Sequence, residues 1–311
     1  MTANSPGQPC GRAAVAIVVL NHNGKDLLLQ CLQTIDAVDY RPLHSVVVDN
    51  GSTDGSAEEV RRRYPGIHLV PVGYNAGVSG GRNAGIRYAE EHLKTEYIIF
   101  LDNDTQIEPD AVREFVAAAD RDARIGIVAP KAFRKRGDSR LLSAGGMGFN
   151  PYTGALRDVA GGEVDRGQYD QSRDVQAGPG FAFLVRSAVY RKIGLFDETF
   201  NPYGWEDVDF SLRAGKAGFR IVYSPKAVVY HAGGRVGRGI IRQYERNKAR
   251  NMLYFVRRHT TIPQWICFLG VFPVLAIGRV MKEVLSGNGG VVLEWVKSMR
   301  GASDPPNGRK A

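Results

Sequence analysis

The chain has 311 residues, 43% of them hydrophobic, which is enough to bury one large core or two modest ones. Its net charge of +9 is unevenly placed: residues 1–234 hold 27 Lys/Arg against 28 Asp/Glu, and residues 235–311 hold 14 against 4. A basic excess gathered at one end, rather than spread over a folded face, argues against a nucleic-acid binder, and Cys10, Cys31 and Cys267 lack disulfide or metal-ligand spacing, which fits a reducing cytoplasm.

Residues 1–12 are polar, without the basic-then-apolar order of a signal peptide, and read as a disordered tail. Ala14–Leu20 reads as a strand, Lys25–Ile35 as a helix, Ser45–Asp49 as a strand and Ser56–Tyr64 as a helix. Ile67–Val72 is the next strand, Gly80–His92 a helix, and an apolar run from Tyr97 ends at Asp102. A helix from Pro109 to Ala119 and a strand over Ile125–Ala129 follow. Strands separated by helices of this length, with near-continuous apolar runs, predict a mostly parallel sheet covered on both faces. The Gly-, Asp- and Arg-rich stretch Gly137–Gly178 predicts irregular hairpins at the sheet edge. Gly180–Val185 returns to strand character, and a helix over Ala188–Ile193 comes next. A helix over Asp207–Ala217 is stopped by Gly218, and Phe219–Tyr223 and Ala227–Tyr230 are the last two strands. Beyond Gly233–Gly239 the pattern is helical.

Ligands of open parallel sheets bind at the carboxyl ends of strands. Asn21, Asp49 and Asp102 all stand at such ends and are expected to line one crevice. Asp102 and Asp104 lie two apart, on one side of an extended segment, and two carboxylates held that close call for a cation. An EF-hand would need Gly at the place of Ile107 and Glu at that of Arg113, and a haloacid-dehalogenase phosphatase has Thr or Val where Gln106 stands. Asn75–Gly85 offers glycines for close backbone approach and opens a helix whose N-terminus favours anions, with Arg82 placed to lie along phosphates. Neither a Gly-x-Gly-x-x-Gly after the first strand nor a phosphate loop of the ATPase type is present.

The chain resembles family 2 glycosyltransferases, the inverting enzymes of GT-A fold, and within them the rhamnosyltransferase-like branch. The likeness spans about residues 14–255. It rests on Val18–Gly24, Val48–Gly55, Asn75–Gly85, Leu101–Asp104, Gly194–Glu198, Gly204–Arg213 and His231, in that order. The resemblance implies a GT-A domain over 13–235 binding a UDP- or dTDP-sugar through Asn21, Asp49, Asn75, Gly77, Arg82, Asp102 and Asn103, with Asp49 on the uracil or thymine. It implies Mn²⁺ or Mg²⁺ held by Asp102, Asp104 and His231, Asp104 being the firmer ligand. It implies Asp207 as the base that takes the acceptor proton, with Trp205 and Glu206 on the acceptor. Glu206 and Asp209 are expected to raise the pKa of Asp207. Trp205 fits a platform for a sugar ring and a core residue equally well. Rhamnosyl transfer leads and galactofuranosyl transfer follows. A nucleotidyltransferase would carry a basic Gly-rich loop after strand one, and a non-catalytic adaptor would not need Asp102, Asp104, Asp207 and His231.

Residues 236–301 read as a basic and apolar helical segment, and 302–311 as a second disordered tail. Thr260–Gly278 has no charged residue, and with the basic residues around it predicts attachment to an anionic membrane surface. Pro263 and Pro273 interrupt Trp265–Ile277, which is near the lower limit for a span, so a helix lying in the interface is favoured. Val291–Val296 adds a second amphipathic piece. This places the protein at the inner face of the cell membrane, beside a glycan or polyprenyl-linked acceptor. Arg235 and Arg238 are expected to fold over the diphosphate as a lid.

Overall fold

A computed structural model describes residues 12–233 and 250–285. The expected lid arginines Arg235 and Arg238, residues 1–11 of the first tail, the second tail and Val291–Val296 lie outside the described residues.

Four strands form the parallel half of the sheet. These are β1 (Val15–Asn21), β2 (Leu43–Asp49), β3 (His68–Pro71) and β4 (Tyr97–Asp102), in spatial order β4-β1-β2-β3. Each passes to the next through a helix: α1 (Lys25–Asp36), α2 (Ser56–Arg63) and α3 (Gly77–His92). The pairing sets Asn21 beside Asp49 and Leu20 beside Asp102, so the three strands stop at the same level. Their residues Val15–Val19, Val46–Val48 and Tyr97–Leu101 are wholly buried, because helices cover both faces. α1 and α4 (Ala111–Ala119) pack on one face, and α3, α5 (Ser187–Ile193) and α6 (Glu206–Lys216) on the other.

Beyond β4 the sheet is mixed, which corrects the expectation of a mostly parallel one. After β5 (Thr105–Ile107) and β6 (Ile125–Phe133) come the short strands β7 (Leu141–Ala144), β8 (Met147–Phe149), β9 (Leu156–Asp158) and β10 (Arg173–Asp174). β11 (Ala182–Arg186) then runs antiparallel between β4 and β6. No helix separates β6 from β11, and without a crossover helix a strand has no short route to a parallel place. The last two expected strands are one, β12 (Arg220–His231), parallel to β6 and broken by a register shift between Ser224 and Val228. β5, not foreseen, pairs with the end of β12 and sets Thr105 opposite His231.

Helix α7 (250–259) and helix α8 (Ile262–Leu285) pack on α6 through a third apolar cluster. It contains Trp205, Val208, Phe255, Val256 and Phe268. α8 presents Trp265, Phe268 and Phe272 to this cluster at helical spacing. Ile262, Ile266, Leu269, Ile277, Met281 and Leu285 lie exposed. Among the described residues no helix is long and apolar enough to cross a membrane.

Candidate active site

A cleft of about 970 Å³ opens where the strands end. Arg82, Asp102, Glu206, Asp207 and His231 line it, brought from α3, β4, α6 and β12.

Asp102, Asp104 and His231 each place one ligand atom within 4.8 Å of the others. Asp104 Oδ1 and His231 Nε2 are 3.1 Å apart. Ligands bonded at roughly 2.0–2.2 Å to one ion must sit about this close, and two carboxylates with an imidazole suit Mn²⁺ or Mg²⁺. The donor set therefore fits such an ion. Phe181 stacks on the imidazole at 4.5 Å and 8°, fixing its plane. Burial works against a charged His231, but the Asp104 hydrogen bond and the Asp104 and Asp102 charges outweigh it and raise its pKa. Burial also raises the Asp102 carboxyl, against the pull of Arg82 and His231.

Arg82 lines the cleft beside Asp102. Its guanidinium is buried and lies over the rings of Phe183 and Phe196, 5.6 Å from each. It donates to Gly180 O (2.5 Å), Glu206 Oε1 (3.2 Å) and Asp102 Oδ1 (3.4 Å). Its fork thus ties the end of β4 to the start of α6, and its charge is already matched within the protein. Glu206 is similarly committed, because its other oxygen accepts from Gly204 N at 2.6 Å. Trp205 is 6% exposed and packs on Phe255 at 4.8 Å, yet it lines the cleft. Its φ of +79° is strained for a bulky residue, and among the described residues its indole Nε1 has no hydrogen-bond partner.

Asp207 lies half-buried at the first turn of α6, with Gly180 packed so close that a Cβ there would stand 2.7 Å from the carboxylate. Burial, then the Glu206 charge, push its pKa up to about 7, with Arg82 opposing. Asp209 takes no part in this, contrary to expectation. It is fully buried on the other side of α6, where it meets His259 Nε2 (2.7 Å) and Arg213 Nε (2.7 Å). Burial alone would raise it; the His259 hydrogen bond and the Arg213 charge hold it low.

The remaining sequence-marked residues gather at the ends of β1 and β2. Asn21 is fully buried, donating to Ser52 and Ser56 and accepting from Asn103 Nδ2 at 2.7 Å. Asn21 and Asn103 therefore knit the loops under the crevice. Asp49 accepts from Ser52 N at 3.1 Å, and Asn75 Oδ1 accepts from Gly77 N at 3.0 Å. Gly77 has φ +72°, and a Cβ there would stand 2.4 Å from Asn201 Oδ1, so the α3 N-terminus closes tightly on the 201 loop.

Sequence reading missed Asn50, Phe181 and Asn251. Asn50 bridges Asn75, Ala76 and Gly77. Asn251, buried in α7, donates to the carbonyl oxygens of Phe200, Tyr203 and Gly204 at 2.6, 3.0 and 3.1 Å. It fixes the turn that delivers Trp205, Glu206 and Asp207. No local signal marks it, since its partners lie some fifty residues away.

The profile of glycosyl transferase family 2 matches residues 16–193. The chain is 28% identical over 267 residues to an N-acetylglucosaminyl-diphospho-decaprenol L-rhamnosyltransferase of Mycobacterium tuberculosis, covering 78% of this chain and 84% of that one. It is 25% identical over 213 residues to a low-salt glycan biosynthesis hexosyltransferase of Haloferax volcanii, covering 67% and 63%. Among solved structures, GalNAc-T7 with UDP, GalNAc and Mn²⁺ aligns with a TM-score of 0.60 at 15% identity, over 80% of this chain and 48% of that one. A mannosyltransferase from Pyrobaculum calidifontis in complex with GDP-Man and Mn²⁺ aligns at 0.57 and 18% identity, over 99% and 80%. These two likenesses establish the shared mixed α/β, GT-A-like fold.

Proposed function

The chain belongs to glycosyl transferase family 2, and from that premise we propose a metal-dependent transfer, with inversion, of a hexose from a UDP- or dTDP-sugar. Rhamnose is the leading sugar, and the acceptor is a polyprenyl-linked or other envelope glycan. The observation that carries the reading is the convergence of Asp102, Asp104 and His231 on one point of a cleft that also holds Asp207.

Direct displacement needs a carboxylate opposite the leaving diphosphate to accept the acceptor's hydroxyl proton. Asp207 fills that role: burial and the Glu206 charge raise its pKa, so its carboxylate form is basic enough to draw the proton as the new bond forms. Arg82 binds Glu206, which accepts from Gly204 N, and so fixes the Asp207 backbone against the end of β4. Asp102, Asp104 and His231 would hold the divalent ion, which when bound would supply positive charge to a leaving nucleoside diphosphate. Asp49 takes the base, while Asn21, Asn50, Asn75, Gly77 and Asn103 shape its crevice. Trp205 faces the acceptor side of the cleft.

The segmentation follows the same reading: a catalytic unit over 13–235 and a basic, apolar C-terminal segment over 236–301 that rests on an anionic membrane surface. The exposed row Ile262, Ile266, Ile277, Met281 and Leu285 on α8 supports that placement. Co-sedimentation with anionic vesicles, lost on truncation after His259, is the expected result; undiminished binding by the truncated chain removes the membrane role.

The transfer is tested by a donor screen with Mn²⁺ or Mg²⁺, reading nucleoside-diphosphate release and the anomeric configuration of the product. Release from a UDP- or dTDP-sugar, with inversion, is expected. Retention of configuration, or release of pyrophosphate, contradicts it.

A further inference from the structure

One wall of the cleft has a character that sugar transfer does not need. It is built from Met147 and Leu156 of the β8–β9 hairpin, Met252 of α7, and Phe272, Leu275 and Ala276 of α8, with Asp158 of the same hairpin lying toward His231. This wall is firmly set. The hairpin tip at Gly154 presses on α8 and α7 so closely that a Cβ there would stand 2.8 Å from Phe268 Cε2 and 3.3 Å from Val256 Cγ2. On α8, Trp265, Phe268, Phe272 and then Leu275–Ala276 form one stripe at helical spacing. The first part of that stripe packs into the third apolar cluster. The last part is left facing the cleft, where Leu275 is 47% exposed.

A single cavity that is acidic and metal-ligating at one side and apolar at the other selects a molecule of the same two-part kind. A bilayer cannot enter a cleft shared with Asp207, and a free sugar leaves the apolar wall wet. An amphiphile with a glycosyl-diphosphate head and a hydrocarbon body satisfies both sides. Resting on the lipid-linked acceptor reading above, we propose that the wall formed by the β8–β9 hairpin and α8 seats the first isoprenoid units of the acceptor. The acceptor would then be selected by its lipid as well as by its sugar, and α8 would be part of the acceptor site rather than only a membrane anchor.

The test uses full-length protein without lipid or detergent, with saturating UDP and Mn²⁺ to fill the donor side. Binding of farnesyl diphosphate is compared with that of isopentenyl diphosphate, each kept below micelle-forming concentration. At about 0.8 kcal/mol per buried CH₂, even partial seating makes the longer chain at least about tenfold tighter. Leu275→Asp combined with Ala276→Trp is expected to abolish that preference. Should this variant fail to fold, the wild-type protein still decides: a benzophenone-tagged prenyl diphosphate is expected to label peptides containing Leu156 or Leu275. Equal affinity for the two diphosphates, or labelling confined to Ile262–Ile266 or to residues after 285, overturns the proposal. Donor hydrolysis by the same wild-type protein reads the transfer chemistry separately. Hydrolysis without chain preference removes the lipid seat alone, and no hydrolysis of any UDP- or dTDP-sugar removes the transfer reading itself.

Discussion

Where β1, β2 and β4 end, the proposed donor side, polar side chains bind one another: Asn21 with Asn103, Asn50 with Asn75, Arg82 with Asp102 and Glu206. On the far side, α8 and the β8–β9 hairpin bring Met147, Leu156, Phe272, Leu275 and Ala276 to the cleft. The first side is held by short connections within one sheet, the second by helices that arrive after residue 250. On the proposed reading, such a site keeps its chemistry on a rigid frame and leaves recognition of the second substrate to an appended element. The join between them is α6, which carries Glu206 and Asp207 toward the cleft and Asp209 toward His259 of α7.

The largest effect is expected at that join. Asp207→Asn removes the proton acceptor without altering size, so kcat falls by about 10²–10⁴-fold while the donor's affinity holds; single-turnover assays with calorimetry separate the two. If turnover survives, the two sides do not meet at Asp207. Next comes the donor side alone. His231→Ala is expected to weaken Mn²⁺ by more than the roughly 10–100-fold typical of outer-shell partners, with activity restored only at high Mn²⁺. Metal titration of activity reads it, and an unchanged Mn²⁺ requirement would take His231 out of the site.

Asn251→Ala probes how far the appended helices govern the frame. It strips a buried donor from the carbonyls of Phe200, Tyr203 and Gly204, costing about 1–3 kcal/mol of stability. The turn before Asp207 loosens, and kcat is expected to drop about tenfold with donor KM unchanged. Loss of stability without loss of kcat would make the two sides independent. The smallest effect is a shift in pH dependence. A base whose pKa is raised to about 7 gives kcat/KM that rises with pH below that value and levels above it. Glu206→Gln removes the adjacent negative charge and frees Arg82, and both changes favour the Asp207 carboxylate. The acid limb is therefore expected to move to lower pH; a shift upward would contradict the arrangement.

The same contrast divides what the sequence reveals. β1, β2 and β4 are legible because strands buried on both faces are apolar throughout, and their polar last residues mark the crevice. The convergence of Asp102, Asp104 and His231 follows from where those runs end. Antiparallel β11 is not legible, since direction leaves no mark on Ala182–Arg186 itself and depends on the absence of a crossover helix. Nor is the fate of Arg82 or Asp209. Sequence spacing puts Arg82 near phosphates and Asp209 near Asp207, and only the fold shows the pairing of Arg82 with Glu206 and of Asp209 with His259. Thr260–Gly278 shows its apolarity plainly, but not that one stripe of it turns into the cleft.

Calorimetry of UDP and dTDP binding, with and without Mn²⁺, to wild-type protein and to Asp104→Asn addresses the shared metal point most directly. Nucleotide affinity is expected to rise at least about tenfold with Mn²⁺ in the wild-type protein and to gain little from it in the variant. Equal nucleotide affinity in EDTA and in Mn²⁺, or an undiminished Mn²⁺ gain in Asp104→Asn, would mean that Asp102, Asp104 and His231 do not hold an ion for a nucleoside diphosphate.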